Sequence, residues 1–431
     1  EHQCYCKQRQ SNLFPTGVCE RVVALEFSKV IEQVSKLGGM AHILLDQYAG
    51  SRLEIALDRF RRAPDLRVIH ERIELARSPE VSGYRGAAPL DPGHDEPLNL
   101  VRDCPPLPDR ATLIAADGSQ IYPSDQSAIH YFLINVGMFI YHHGVNRTPE
   151  TVTIPRLYYH RDHVHDKAGR IVNNRTVDAM RTVREMEQLA DRAQLLAPET
   201  VGPLVGLYDN HLLMSIPPDV RDHKKLERRY FDALRGLRES GVLLGGYVDN
   251  PTRSRMVLRL LHLLHLTEDE VRTSDLGYTR ELESLNDAQL FNAILEPGQR
   301  SALMAQNSPR NLAYRKRGKD FEIAFFYVKA SSGYQDTIAR VDLPMWVAAD
   351  KTRVDHLHAL IVHQATMQGR NPYPYALTRA DELAVVSSRD KSRLDELIAV
   401  ELRRQGIDPR VFSAKLQGKR LARGDKRVHE L

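Results

Sequence analysis

The chain has 431 residues, 42% hydrophobic and 27% charged, a balance that fits a globular protein able to bury a sizeable core. No apolar run approaches the roughly 18 residues of a membrane span, and the opening Glu1-His-Gln-Cys-Tyr-Cys-Lys lacks the basic-then-apolar pattern of a secretory leader. Four cysteines are too few for a disulfide scaffold of this size and fit a cytoplasmic protein. The net charge of only +4, from 60 basic and 56 acidic residues, excludes no class of partner, because local clustering binds phosphate.

His2, Cys4, Cys6 and Cys19 match no paired Cys-x-x-Cys spacing and make a poor zinc site. From Val22 to His70 apolar residues recur at three- and four-residue spacing, which predicts helices separated near Gly38-Gly39. Residues 1–78 form a helical N-terminal region. Residues 79–110, rich in Pro, Gly and Asp, read as a linker. Residues 111–431 form the main domain.

That domain opens on Thr112-Leu-Ile-Ala-Ala-Asp117-Gly118-Ser119, an apolar run ending on an acid. The pattern predicts a strand delivering Asp117 to its end, a turn at Gly118, and a second strand over Tyr131–Tyr141. Val152–Tyr159 is another strand, followed by a loop carrying His160, His163 and His165, which reads as solvated rather than as a metal site. Asn174–Leu196 is helical and carries Arg181, Arg184, Glu185 and Glu187. Val201–Tyr208 repeats the opening device and ends on Asp209. A helix over Lys224–Ser240, a strand over Gly241–Val248 and an apolar helix over Met256–Leu266 complete a βαβ succession, which predicts a mixed α/β sheet flanked by helices.

Further on, Arg310–Lys319 reads as a basic turn, Phe321–Lys329 and Ile338–Val347 as strands, His356–Met367 as a helix, and Ala380–Val386 as the last buried segment. Two strand-end acids, Asp117 and Asp209, with Glu187 from the helix between them, can converge on one or two hard divalent ions such as magnesium or manganese. Two such ions would serve phosphodiester hydrolysis. No P-loop, Gly-x-Gly-x-x-Gly, Gly-x-Ser-x-Gly or His-Glu-x-x-His motif occurs, which removes the simplest nucleotide-hydrolase, dinucleotide-enzyme, serine-hydrolase and zinc-protease readings.

Five ordered segments resemble the NurA nuclease family. They are Asp117-Gly-Ser-Gln-Ile-Tyr-Pro with Leu133-Ile-Asn-Val-Gly and His143-Gly144; Arg184-Glu-Met-Glu187-Gln-Leu-Ala; Leu207-Tyr-Asp209-Asn210; Gly246-Tyr-Val-Asp-Asn-Pro-Thr-Arg-Ser254; and Arg340-Val-Asp-Leu-Pro-Met-Trp346 with Tyr373-Pro-Tyr-Ala-Leu-Thr-Arg-Ala-Asp381. The resemblance implies a ribonuclease-H-like domain and manganese- or magnesium-dependent DNA cleavage of the endo- or 5'-3' exonuclease type. It also implies a homodimer docked on a HerA-like hexameric ATPase, in DNA-end processing, repair or phage defence. By motif match Asp117, Glu187 and Asp209 are the metal carboxylates, with Glu185 as rival to Glu187. Tyr373 either stacks a base or packs on the fold. Asp381 stands where the family usually has histidine: it can still ligate a hard cation but cannot serve as a cationic stabiliser. This departure keeps open a weak or inactive subunit that clamps DNA and regulates the motor. Arg253, Arg255, Arg315, Lys316, Arg317, Lys415, Lys419 and Arg420 are candidates for phosphate contact.

Overall fold

The computed structural model describes residues 27–40, 49–78, 81, 83–124, 127, 129–166 and 168–407. The cysteines and histidine at 2–19 and the basic residues Lys415, Lys419 and Arg420 lie outside them. The chain divides into two units, residues 1–50 and 51–431. In the first, Phe27–Gly39 is a helix with Phe27, Ile31, Val34 and Leu37 exposed along it.

The second unit is built on one eleven-stranded sheet. Its strands are β1 (Ala87–Ala88), β2 (Val101–Arg102), β3 (Ala111–Ile121), β4 (Phe132–His143), β5 (Glu150–Tyr158), β6 (Leu204–Tyr208), β7 (Leu243–Asp249), β8 (Arg300–Ser301), β9 (Met304–Gln306), β10 (Ile323–Ser331) and β11 (Asp336–Pro344). They lie in the order β1-β9-β10-β11-β7-β6-β3-β4-β5, with β8 joining β2 to β10. The antiparallel β5-β4-β3 meander continues into parallel β6 and β7, the ribonuclease-H-like arrangement expected from the sequence. No helix among the described residues is long and apolar enough to cross a membrane.

Two apolar cores form. The larger packs helices Asn174–Leu196 and His223–Glu239, together with the C-terminal helices Lys351–Thr366 and Tyr375–Ala384, onto strands β3 to β7. The smaller joins helices ending in Arg61 and Ala76 to Met256–His265 and to Phe325 and Tyr327 of β10. Residues 79–110 are therefore more than a linker. They supply β1 and β2, and Glu96 clamps the fully buried Arg300 at 2.8 and 3.0 Å. A buried guanidinium has to be paired, and the acid comes from this segment.

Three local expectations are overturned. Asp117-Gly118 is not a turn: β3 pairs with β4 without a break from Ala111↔His143 to Ile121↔Leu133, with Asp117 opposite Gly137. Arg310–Lys319 is mostly the helix Pro309–Arg317, started by Ser308, whose hydroxyl accepts from Asn311 N–H. Ala380–Ala384 is the last part of the helix Tyr375–Ala384.

That closing helix lies on β4 at very short range. A Cβ on Gly137 would stand 2.5 Å from the Ala380 carbonyl and the Ala384 amide. The helix's carbonyl end is tied down by a cross-strand pair. Asn135 donates to Leu383 O and Ala384 O at 3.2 and 2.9 Å, and Ser119 donates to Ala384 O. These bonds satisfy carbonyls that a helix end leaves orphaned. Gly137→Ala is expected to lose about 1–3 kcal/mol by overpacking against backbone that cannot yield. A lowered urea midpoint at unchanged m-value would show it; an unchanged midpoint would mean that the helix is free to shift.

Candidate active site

Strand β6 stops at Tyr208, whose partner is Ala116, while β3 runs on to Ile121. Asp209 therefore follows β6 beside Asp117, and a notch opens where β6 ends. Alternate residues of a strand face opposite sides. The Gly118 side faces Asn174–Leu196, because a Cβ there would meet Glu185 Oε1 at 2.3 Å and Arg181 Cγ at 3.0 Å. The Asp117 side, in register with Gly137, faces the closing helix. Groups from both faces meet at the notch.

Glu185, only 3% exposed, enters from the long helix. Its Oε1 lies 3.3 Å from Arg181 Nε but has no hydrogen-bond donor, while Tyr208 supplies a hydroxyl to the carboxylate. Arg181 also donates to Gly118 O at 2.9 Å. Asp209 accepts from Tyr373, whose ring stands edge-on to Tyr247 with centroids 5.2 Å apart. Asp381, exposed on the closing helix, adds its charge to Asp117 and Asp209.

Burial first, then the charge of Glu185, pushes the Asp117 carboxyl up to about 7, with Asp209 and Asp381 adding to the rise. Burial raises Glu185 despite Arg181. Asp209 is raised by burial and by Asp381 and Asp249, against the Tyr373 hydrogen bond. One cause leads in all three, the burial of a charged carboxylate, and neighbouring carboxylates add to it.

The expected ligand Glu187 is not in this group. It pairs with Arg229 of the neighbouring helix through two bonds of 2.7 and 2.8 Å. Residues two apart diverge by about 160° around a helix of 3.6 residues per turn, and Glu185 is the one turned to the notch. Asp249, at the end of β7, is an acid the sequence reading passed over. It is held by the Thr337 hydroxyl, and its charge reaches Asp209.

Among the described residues no three His, Cys, Asp or Glu side chains are already gathered closely enough to hold an ion. The donor set nonetheless fits a hard divalent cation. It is all carboxylate oxygen, its members repel one another, and a buried Glu185 oxygen lacks a donor. Asp117, Glu185, Asp209 and Asp381 are the residues that would hold it. The His160, His163 and His165 group stays apart from this site, with His165 at 3.1 Å from His130.

Of the basic candidates, Arg253 and Arg255 line a cleft described below. Arg315 is engaged by Asp91 and Glu322, so its charge is neutralised internally. Arg317 lies over the Phe231 ring at 4.1 Å, and Lys316 is exposed.

A family model described as the NurA domain matches residues 111–386. No curated protein matches the chain. Among solved structures, the NurA nuclease from Sulfolobus solfataricus is 13% identical, with 88% of this chain and 98% of that one covered at a TM-score of 0.48. A structure of NurA bound to dAMP and manganese is also 13% identical, with 86% and 96% covered at a TM-score of 0.38.

Burial and crowding of Asp117 set a pH dependence. Asp117 titrates near 7 when folded against 3.8 as an isolated group, so between these values the folded chain holds a proton that the unfolded chain has lost. Stability of the metal-free protein should therefore fall as pH rises from about 4 to about 7, by up to roughly 1.4 kcal/mol per pH unit. Urea midpoints at pH 5 and pH 8 test this. Asp117→Asn should flatten the difference, and equal slopes in both proteins would refute the assignment.

Proposed function

The chain belongs to the NurA family, and we propose that it is a manganese- or magnesium-dependent deoxyribonuclease whose metal carboxylates are Asp117, Glu185, Asp209 and Asp381. The observation that supports the reading is that these four acids, from β3, the residue after β6 and two helices, border one notch of the sheet near enough for their charges to act on one another, without yet being gathered round one point. A protein that only clamped DNA has no physical need for acids facing a polyanion. Bound there, a divalent ion would lower the pKa of a water molecule and neutralise charge developing on the scissile phosphate.

The chain's own groups supply the rest. Arg181 fixes Glu185 against Gly118. Tyr373, whose hydroxyl burial holds well above its usual range, stays protonated as a donor to Asp209 and keeps that carboxylate turned inward. Asp381 reaches in from the closing helix. Its exposure on the solvent side suits a ligand that completes the site at its mouth.

Work in DNA-end processing, repair or phage defence, as a homodimer on a HerA-like hexameric ATPase in the cytoplasm, is part of the same proposal. It is supported by family membership. A second reading, a DNA-clamping subunit that regulates the motor without cutting, is favoured by Asp381 alone, which stands where the family resemblance expects a histidine.

Labelled single- and double-stranded DNA, incubated with manganese, magnesium or EDTA and with or without a HerA-like partner, distinguishes the two. Metal-dependent cutting that Asp117→Ala abolishes supports the nuclease; DNA binding with no cutting under any condition supports the clamp. Within the nuclease reading, Glu185→Gln should lower the rate by more than about 100-fold, the upper range for a group that merely supports a ligand. Glu187→Gln should leave the rate nearly unchanged, with a stability loss of at most about 1 kcal/mol from its partly exposed ion pair. The reverse ranking would restore Glu187 as the ligand.

A further inference from the structure

We propose that the cleft walled by the Asp249–Arg255 loop, Arg85 and Arg310 binds the phosphodiester backbone of a DNA strand and leads it to the carboxylate notch. The inference rests on the nuclease reading for its substrate, but its evidence is separate. The cleft encloses about 800 Å³ and is lined by six arginines, Arg85, Arg253, Arg255, Arg259, Arg310 and Arg340. Two of these are spent on acids, Arg340 on the buried Asp342 and Arg255 on Glu283, while Arg259 donates to the Arg85 carbonyl. Arg85, Arg253 and Arg310 have no carboxylate partner among the described residues. Three unpaired guanidinium groups drawn from a loop, a strand approach and a helix start repel one another, and an anion with several charges relieves that repulsion.

The cleft's one acid identifies which anion. Asp249 lines it and ends β7, the parallel neighbour of the strand β6 that Asp209 follows, with Gly246 opposite Tyr208, so the cationic cleft and the anionic notch share a boundary. A lone phosphate would occupy one arginine pair; a phosphodiester chain spans the arginines and still delivers a phosphate to the notch. The wall is also rigid. Fully buried Asp287 accepts from Ser254 Oγ at 3.0 Å, Tyr327 OH at 2.7 Å, and the amides of Met256, Val257 and Leu258 at 2.6, 3.2 and 3.1 Å. This carboxylate uses up the helix's N-terminal amides and locks the loop carrying Arg253 and Arg255, so the arginines, not the helix end, are left for the ligand.

The test is fluorescence anisotropy of a labelled single-stranded oligonucleotide in EDTA, across a salt series. The proteins are wild type, Arg253→Gln alone, Arg85→Gln/Arg253→Gln/Arg310→Gln, and a charge-matched control, Arg235→Gln/Arg272→Gln/Arg404→Gln. All substituted side chains are on the surface, and a urea midpoint checks each variant's folding. Three lost phosphate contacts should make the salt slope shallower by about 2, at about 0.7 per contact, and the single variant by about one third of that. Affinity at 150 mM salt should fall at least about tenfold for the triple variant, while the control keeps the wild-type slope. A triple variant that binds with the wild-type slope overturns the cleft, and wild-type cleavage in manganese would still leave the nuclease standing. If wild type binds DNA through the cleft but never cuts, the cleft holds and the nuclease reading fails. If wild type binds no DNA, the cleft falls, while metal-dependent cleavage decides the nuclease reading on its own.

Discussion

Repulsion among carboxylates held at one notch is the constraint that the surrounding structure serves. Left to themselves, Asp117, Glu185, Asp209 and Asp381 would swing apart into solvent. The fold prevents this by bringing them from opposite faces of the sheet, three on regular elements and Asp209 directly after one. Asp117 lies on β3 and Asp209 just past the end of the adjacent parallel β6, set by the register Ala116↔Tyr208. The third rides on a 23-residue helix capped by the Asn173 side chain, and the fourth on a helix pinned at its carbonyl end. The positive charge is rationed: Arg181 offsets Glu185 but does not satisfy it. A site so underpaired stores the drive to take up a cation.

The segments that carried the family resemblance become intelligible in this light. In Asp117-Gly-Ser the acid borders the notch as the proposed metal donor, the glycine makes room for Glu185, and the serine ties down the closing helix. Across the ladder, Asn135 repeats the tie and Gly137 lets the helix approach. All five residues answer to one requirement, that two helices reach a strand pair from opposite faces at short range. Gly118 thus has a packing reason and not a turning one, since its φ is not positive. Asp-Gly in isolation looks like a hairpin because nothing in two letters distinguishes a glycine needed for φ from a glycine needed for space.

Regular elements with strong periodicity were legible. Asn174–Leu196 has the same limits in sequence and structure, and strands β4 to β7 and β10 stand where apolar runs predicted them, within a few residues. Asp117 and Asp209 were legible because strand-end acids stand out against apolar runs. The choice between Glu185 and Glu187 was not. They flank the helix's apolar stripe on opposite sides, so local pattern says only that they diverge. Which flank faces β3 is decided by where the His223–Glu239 helix packs, with Arg229 waiting for Glu187. Arg315 misled for a related reason. It looked like one of a free basic run, yet Asp91, more than two hundred residues away in sequence, neutralises it. Short strands such as β1 and β2, two residues each, leave no periodicity to read.

The same long-range pairing explains how a chain of net charge +4 can present strong fields. Many of the described arginines are cancelled by nearby acids, as Arg229, Arg300 and Arg315 are, so the total says little about any surface. Two adjoining regions stand out: acids without enough bases at the notch, and in the cleft three arginines, Arg85, Arg253 and Arg310, without a carboxylate partner among the described residues. Asp249 belongs to both, lining the cleft while its charge raises Asp209. A polyanion is attracted by one region and repelled by the other unless cations occupy the notch. Cation binding and strand binding are therefore coupled by the charge layout itself: each occupant removes the repulsion that opposes the other.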